Sequence, residues 1–245
     1  MGGQKTFGEN QEVTQPIIGE YHVLTHLDVY DSPECGRLAT QARANRHLLI
    51  LSDAVNVGAR GTVKVRLCED DYPGWLKVQD LQQLRMCANP YRARRMNREE
   101  ICTRLPDVVS FTKDAMAQPN SYLWGGTVGP NFDCSGLVQA AFASVGIWLP
   151  RDAYQQEDFI HPVAVHDVER GDLIFFGSEE RATHVGLYIG EGEYIHSSGR
   201  DHGRDGVGIN RLSPPREEIS EWLFQKLRGA GRVMESYQPR GTRLT

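Results

Sequence analysis

Cys134 opens the run CSGLVQAAFASVGIWLP, in which Leu137, Val138, Ala141, Phe142 and Val145 recur at helical spacing and Gly146 and Pro150 close the pattern. A thiol in the first turn of a helix meets the partial positive charge of unpaired backbone N–H groups, which favours thiolate over thiol. Cys134 is therefore a candidate nucleophile, whereas Cys35, Cys68, Cys87 and Cys102 read as inert free thiols. Acyl transfer from a thiolate also needs an imidazole that holds the proton and returns it to the leaving amine. In HVGLYIG, alternation sends Val185, Leu187 and Ile189 to one face and His184, Gly186 and Tyr188 to the other. His184 thus stands off the apolar side. His196 lies in the next strand-like run, EYIHSS, and a hairpin at Gly190 and Gly192 sets the two histidines side by side, where one imidazole can orient the other.

Other chemistry fits less well. His161, His166, His184, His196 and His202 have acidic neighbours, but none stands at HExxH or CxxC spacing. An odd set of five cysteines matches neither a disulfide framework nor a zinc site. No metal or organic cofactor is expected.

The elements that must position these residues fall into two blocks. From Tyr21 to Asp80 short strand-like runs, HVLTHLDVY, HLLILS, GTVKVRL and LKVQD, are separated by the turn-rich DSPECG and DDYPGW, which predicts a small antiparallel barrel. The second block starts near Asn97, where Asn97 and Glu100 form a capping-box pattern. Pro106 resets the helix, and Val108, Val109, Phe111, Thr112, Ala115 and Met116 give the next one an apolar face. After the Cys134 helix come DLIFFG, HVGLYIG and EYIHSS, an antiparallel meander. The fold class is α+β, with a barrel domain over residues 1–90 and a second domain over 91–245.

The 245 residues carry a formal net charge of -5, which argues against nucleic acid or an anionic membrane as the main partner. The basic run Arg92, Arg94, Arg95 and Arg98 lacks interleaved aromatics and reads as a solvated linker before a helix start. Met1 to Asn10 is polar and Gly-rich, without the apolar core of a signal peptide, and no later stretch has the length of a membrane span, so a reducing, cytoplasmic setting is expected.

Taken together, YLWGGTVGPNFDCSGLVQAAF, LPRDAYQQ, GDLIFFG, THVGLYIG and YIHSSG, spanning roughly Ser121 to Ser198, resemble the NlpC/P60 family of papain-like cysteine peptidases. LDVYDSPECGRLAT and GWLKV look like a bacterial SH3 domain. With both parts the chain resembles the cyanobacterial γ-D-glutamyl-L-diamino acid endopeptidases, cytoplasmic enzymes of murein peptide recycling. That resemblance implies Cys134 as nucleophile, His184 as general base, His196 as the orienting residue and Tyr122 as an oxyanion donor beside the backbone N–H of the nucleophile. It makes Asp133, Ser135, Trp124 and Arg151 walls of the substrate groove, although Asp133 also reads as a helix cap and Arg151 as a partner of Asp152. A serine can follow the Arg-Asp pair in related enzymes, whereas Ala153 stands here.

Dipeptidyl-type members of that family act on peptides with a free N-terminal L-alanine, and an ammonium group needs acceptors. The turn Glu69, Asp70, Asp71, Tyr72 is the candidate, with an acidic side chain holding the ammonium and Tyr72 packing the alanine. The expected substrate is L-Ala-γ-D-Glu-diamino acid, cut after the γ-linked D-glutamate. An amidase or acyltransferase on the same fold, or a non-catalytic binder of wall peptide, stays open as the alternative.

Overall fold

The computed structural model describes residues 18–52, 55–57, 60–202, 204–212 and 225–241, so the expectations for Met1 to Asn10 lie outside the described residues. Alternation of apolar residues drives the first block into strands β1 (Gly19–Val23), β2 (Leu27–Tyr30), β3 (Leu38–Ala42), β4 (His47–Ile50), β5 (Val55–Val57), β6 (Arg60–Leu67), β7 (Pro73–Lys77) and β8 (Leu84–Met86). Among the described residues they form one antiparallel sheet in the order β3-β2-β7-β6-β4-β1-β8, with β5 on β6. Val23, Val29, Leu48, Ile50, Val63, Val65, Leu67 and Leu76 fill its core. The run HVLTHLDVY is two strands rather than one. The break is fixed by polar bonds: Leu24 donates its N–H to the Gln83 carbonyl, and His26 Nδ1 accepts from the Ala44 N–H.

The second block begins as the capping box predicts. The Asn97 side chain accepts from the Glu100 N–H at 3.0 Å, and Glu100 accepts in return from the Asn97 N–H at 3.1 Å. Helix α1 (Arg98–Cys102) then gives way to α2 (Leu105–Ala117), with Pro106 in the first turn, where its missing N–H costs nothing. Helix α3 (Cys134–Ser144) packs on the strands behind it. Leu137, Val138, Ala141 and Phe142 are wholly buried, and each large side chain of that set contributes about 1.5–3 kcal/mol by leaving water. A short helix α4 (Ala153–Phe159) follows, started by Asp152, whose N–H donates to the Gln155 side chain. Its polar sequence AYQQEDF carried no apolar period to reveal it.

Strands β9 (His161–Val163), β10 (Leu173–Gly177), β11 (Ala182–Gly190), β12 (Glu193–Ser198), β13 (Gly206–Arg211) and β14 (Leu227–Arg232) form the second sheet, in the order β13-β12-β11-β10-β14-β9. The expected meander is its centre. β13, β14 and β9 extend it on both sides, because their Gly-rich or short sequences lack strong alternation.

Buried and half-buried polar joints fix the first sheet against the second block. Gln41 exchanges four hydrogen bonds with Thr127 and Val128, at 2.9–3.3 Å. Gln139 of α3 donates to Asp70 at 2.8 Å. The start of α3 sits equally close to the chain before it. A Cβ on Gly136 would lie 2.0 Å from the Gly126 carbonyl oxygen and 2.8 Å from Asp133 Oδ1, whereas one on Gly36 would meet nothing within 4 Å. Gly136→Ala is therefore expected to destabilise the chain by about 1–3 kcal/mol, the cost of overpacking, and Gly36→Ala to leave it unchanged. Urea-unfolding midpoints measure this; equal midpoints for the two variants would contradict the close approach.

Candidate active site

Asp133 is the N-cap of α3. Its Oδ1 accepts from the Gly136 N–H at 2.6 Å, its Oδ2 accepts from the Gly125 N–H at 2.8 Å, and the pair holds Cys134 in the first turn. Arg151 closes the same carboxylate from the other side, donating to Oδ2 at 2.6 Å and Oδ1 at 3.1 Å. It also donates to Ser135 Oγ at 3.0 Å and, through Nε, to Thr40 Oγ1 of β3 at 2.9 Å. The guanidinium is only 1% exposed, and the Asp133 charge keeps its pKa raised although burial works against the charge. Arg151 thus forms its ion pair with Asp133 and not with its neighbour Asp152.

Cys134 is buried, and burial pushes its thiol up to about 12, with the Asp133 carboxylate pushing the same way. Backbone N–H groups of Val185 and Ser135 work against that rise. A thiol so placed stays protonated at neutral pH unless a base receives its proton during attack.

His184, the candidate base, is held by a chain of hydrogen bonds. His184 Nε2 and His196 Nδ1 are 2.7 Å apart, and His196 Nε2 is 2.8 Å from Asn210 Oδ1. Arg204 also donates to Asn210 Oδ1, at 3.3 Å. With two donors converging on it, the Asn210 atom must be the oxygen, so neutral His196 carries its proton on Nε2. Its Nδ1 then accepts from His184 Nε2–H, which leaves His184 Nδ1 as the basic nitrogen. His184 and His196 are on β11 and β12, Asn210 is on β13, and all three side chains are buried. Gly208 lets the arginine in, since a Cβ there would lie 1.8 Å from Arg204 Nη1.

Cys134 lies on a cavity of about 320 Å³ whose wall includes Tyr122, Trp124, Asp133, Ser135 and Arg151, together with Tyr72 from the first sheet. Burial raises the Tyr122 phenol, with Cys134 and Asp133 adding to the rise, so it remains a hydrogen-bond donor. Its backbone N–H is held by Asp205 at 2.9 Å. Trp124 is 56% exposed, and the Arg37 guanidinium lies 4.5 Å over its ring.

The acidic turn requires a correction. Glu69 and Asp70 are buried, accept from Arg46 at 3.0 and 2.8 Å, and do not line the Cys134 cavity. Asp71 faces away too, accepting from the Arg240 N–H at 2.7 Å and from the Tyr237 hydroxyl at 3.3 Å. Arg46 beside Glu69 and Asp70, and Arg66 beside Asp71, draw these carboxylates away from the groove. Only Tyr72 of that turn faces it, and its hydroxyl donates to Asp152 at 3.2 Å. Asp152 and Asn210 are the polar residues that sequence reasoning missed. The Arg-Asp pair in LPRDA carried a signal for the first; a lone asparagine in GVGIN carried none.

A family model described as NlpC/P60 family matches residues 119–224, and one described as bacterial dipeptidyl-peptidase SH3 domain matches residues 29–81. The γ-D-glutamyl-L-lysine dipeptidyl-peptidase of Bacillus subtilis is 46% identical over 108 residues, which cover 43% of this chain and 33% of that protein. The protein of the same name from Bacillus cereus is 35% identical over 107 residues, covering 42% of this chain and 32% of that protein. A solved NlpC/P60 family protein from Bacillus cereus aligns with a TM-score of 0.47 at 24% identity, over 88% of this chain and 64% of that chain. The matched region amounts to about a third of the length of the two curated relatives.

Two measurements test the relay. Asn210→Ala should lower turnover with an unchanged KM, by up to about 10²-fold, the cost of roughly 1 Å of misplacement at a reacting group. A change confined to KM would reject the positioning role. In His184→Ala, alkylation of Cys134 by iodoacetamide should be slow at neutral pH and keep rising toward pH about 12, where burial places the thiol; wild-type rates at neutral pH would show that the imidazole does not activate it.

Proposed function

On the premise that this chain carries an NlpC/P60 domain behind a bacterial SH3 domain, we propose that it is a cysteine endopeptidase that cleaves the γ-D-glutamyl-diamino acid bond of murein peptides bearing a free N-terminal L-alanine. The observations that carry the reading are the buried relay Asn210, His196, His184 and the buried Cys134 thiol on the cavity wall at the start of α3. Cys134 attacks the γ-carbonyl while His184 takes the thiol proton. The backbone N–H of Cys134, at the open end of α3, and the Tyr122 hydroxyl receive the developing oxyanion; removing one such donor typically costs roughly 3 kcal/mol in the transition state. The imidazolium of His184 then protonates the departing amine, and water releases L-Ala-γ-D-Glu from the thioester.

The free amine has a new candidate partner, Asp152. Burial raises its carboxyl above the ordinary range, although the Arg151 charge and hydrogen bonds from the Tyr72 and Tyr154 hydroxyls work against that rise. A substrate ammonium there would supply the counter-charge that burial makes costly to lack. The SH3 part then contributes to specificity through Tyr72, as one wall of the ammonium subsite. The compartment we favour is the cytoplasm, with recycled wall fragments as substrate; five cysteines held as free thiols suit its reducing conditions.

Incubating the protein with L-Ala-γ-D-Glu-meso-diaminopimelate, beside the same peptide acetylated at its N-terminus, and following products by mass spectrometry tests both parts. Release of L-Ala-γ-D-Glu from the free peptide alone is expected, with none from Cys134→Ala. Asp152→Asn should lower kcat/KM for the free peptide by roughly 30-fold or more, corresponding to the ~2 kcal/mol lower bound for losing one partner of a buried charge pair. In the wild type, binding needs the carboxylate form, so KM should be low above the raised pKa of Asp152 and climb as pH falls through it. Equal cleavage of both peptides would remove the ammonium subsite, and cleavage of neither would favour an amidase, an acyltransferase or a binding protein.

A further inference from the structure

Away from the cavity, on β1, β4 and the residue after β8, three metal-binding side chains meet. His22 and His47 are direct cross-strand partners, and their ring centroids are 4.2 Å apart. Cys87 follows the last residue of β8 and donates its N–H to the Glu20 carbonyl at 2.9 Å. One ligand atom from each of His22, His47 and Cys87 lies within 4.8 Å of the others, and all three residues are half-buried. A tetrahedral ion with bonds of ~2.1–2.3 Å needs its ligand atoms roughly 3.4–3.8 Å apart, so closure by about 1 Å is required, within reach of small side-chain rotations.

The surroundings of His47 are those of a metal ligand. Its Nδ1 lies 3.6 Å from Glu69 Oε1, and Glu69 is itself pinned by Arg46 at 3.0 Å and by the His47 N–H at 2.6 Å. A carboxylate behind one ring nitrogen fixes the tautomer that leaves the other free to bind metal. That other nitrogen, Nε2, is 3.9 Å from Glu20 Oε1, an oxygen that also accepts from the Tyr91 N–H and stands outside the cluster. Arg46 and Arg66, the nearby cations, are engaged by Glu69, Asp70 and Asp71. Glu20 and Glu69 thus place two carboxylates beside His47.

We infer that His22, His47 and Cys87 form a zinc site, with a fourth position open, that clips the end of the SH3 sheet where the chain leaves for the second domain. Two imidazoles and a thiolate are a zinc donor set. Neither His22 nor His47 was among the histidines weighed from sequence, and Cys87 read as an inert thiol, because the three come from β1, β4 and the residue after β8 with no motif spacing.

The full-length chain with Cys134→Ala, which removes the reactive thiol as a competing ligand, is stripped of metal and titrated with Co²⁺ and then Zn²⁺. One equivalent of Co²⁺ should bind with a thiolate-to-cobalt charge-transfer band, and Zn²⁺ should displace it. Cys87→Ser on that background should lose the band. His22→Gln should weaken binding by more than the roughly 10–100-fold that loss of an outer-shell partner causes. Cys35→Ser should change neither. Absence of the band, or its persistence with undiminished affinity in Cys87→Ser, would overturn the site and leave His22 and His47 as a stacked cross-strand pair.

Discussion

The buried guanidinium of Arg151 is the constraint on which the rest of the site depends. A charge that is 1% exposed is tolerated only when its donors are met, and here Asp133, Ser135 and Thr40 meet them. Each partner belongs to a different structural task. Asp133 caps the helix that begins with Cys134, Ser135 follows the thiol in its first turn, and Thr40 lies on the SH3 sheet. One side chain therefore sets the position of Cys134 and the docking of the first sheet together. Replacing it would leave Asp133 as an uncompensated buried charge, typically a loss of 3–5 kcal/mol.

The same burial that secures the helix start works against the chemistry. In its pocket the Cys134 thiol rises to about 12, so helix dipole and backbone donors alone do not make it a thiolate. The relay offsets this by fixing direction rather than adding charge. Arg204 and His196 both donate to Asn210 Oδ1, and that choice of acceptor propagates through two imidazoles to a defined basic nitrogen on His184. A neutral chain of this kind costs less to bury than a carboxylate in the third position, at the expense of a weaker pull on the imidazolium.

Much of this arrangement could be read in the sequence wherever local chemistry announces itself. Asp133 before Cys134 is a cap, the apolar period of α3 gives its buried face, and the alternation around His184 gives its side of the strand. The capping box at Asn97 and the reset at Pro106 were equally plain. What was hidden is pairing over distance. The Glu69–Asp71 turn has the composition of a solvated loop, yet Arg46, Arg66 and Tyr237 lie around it in space and draw its charges inward. Asn210 gains its meaning only when β13 is laid beside β12. Strands β9 and β14 have too little alternation to be seen before the sheet that they extend is known.

Once the acidic turn is withdrawn from the groove, the electrostatics of the cavity become asymmetric. Asp133 is neutralised by Arg151, and Glu69 and Asp70 by Arg46, so their charges are closed internally. Asp152 differs in place: burial raises it as it raises Asp70, but Asp152 lines the cavity, where the Tyr72 and Tyr154 hydroxyls and the Arg151 charge only partly offset that burial. Tyr72 contacts that acid from the first sheet, so the shape and charge of this end of the cavity depend on how the two blocks are docked, and through Thr40 that docking leads back to Arg151.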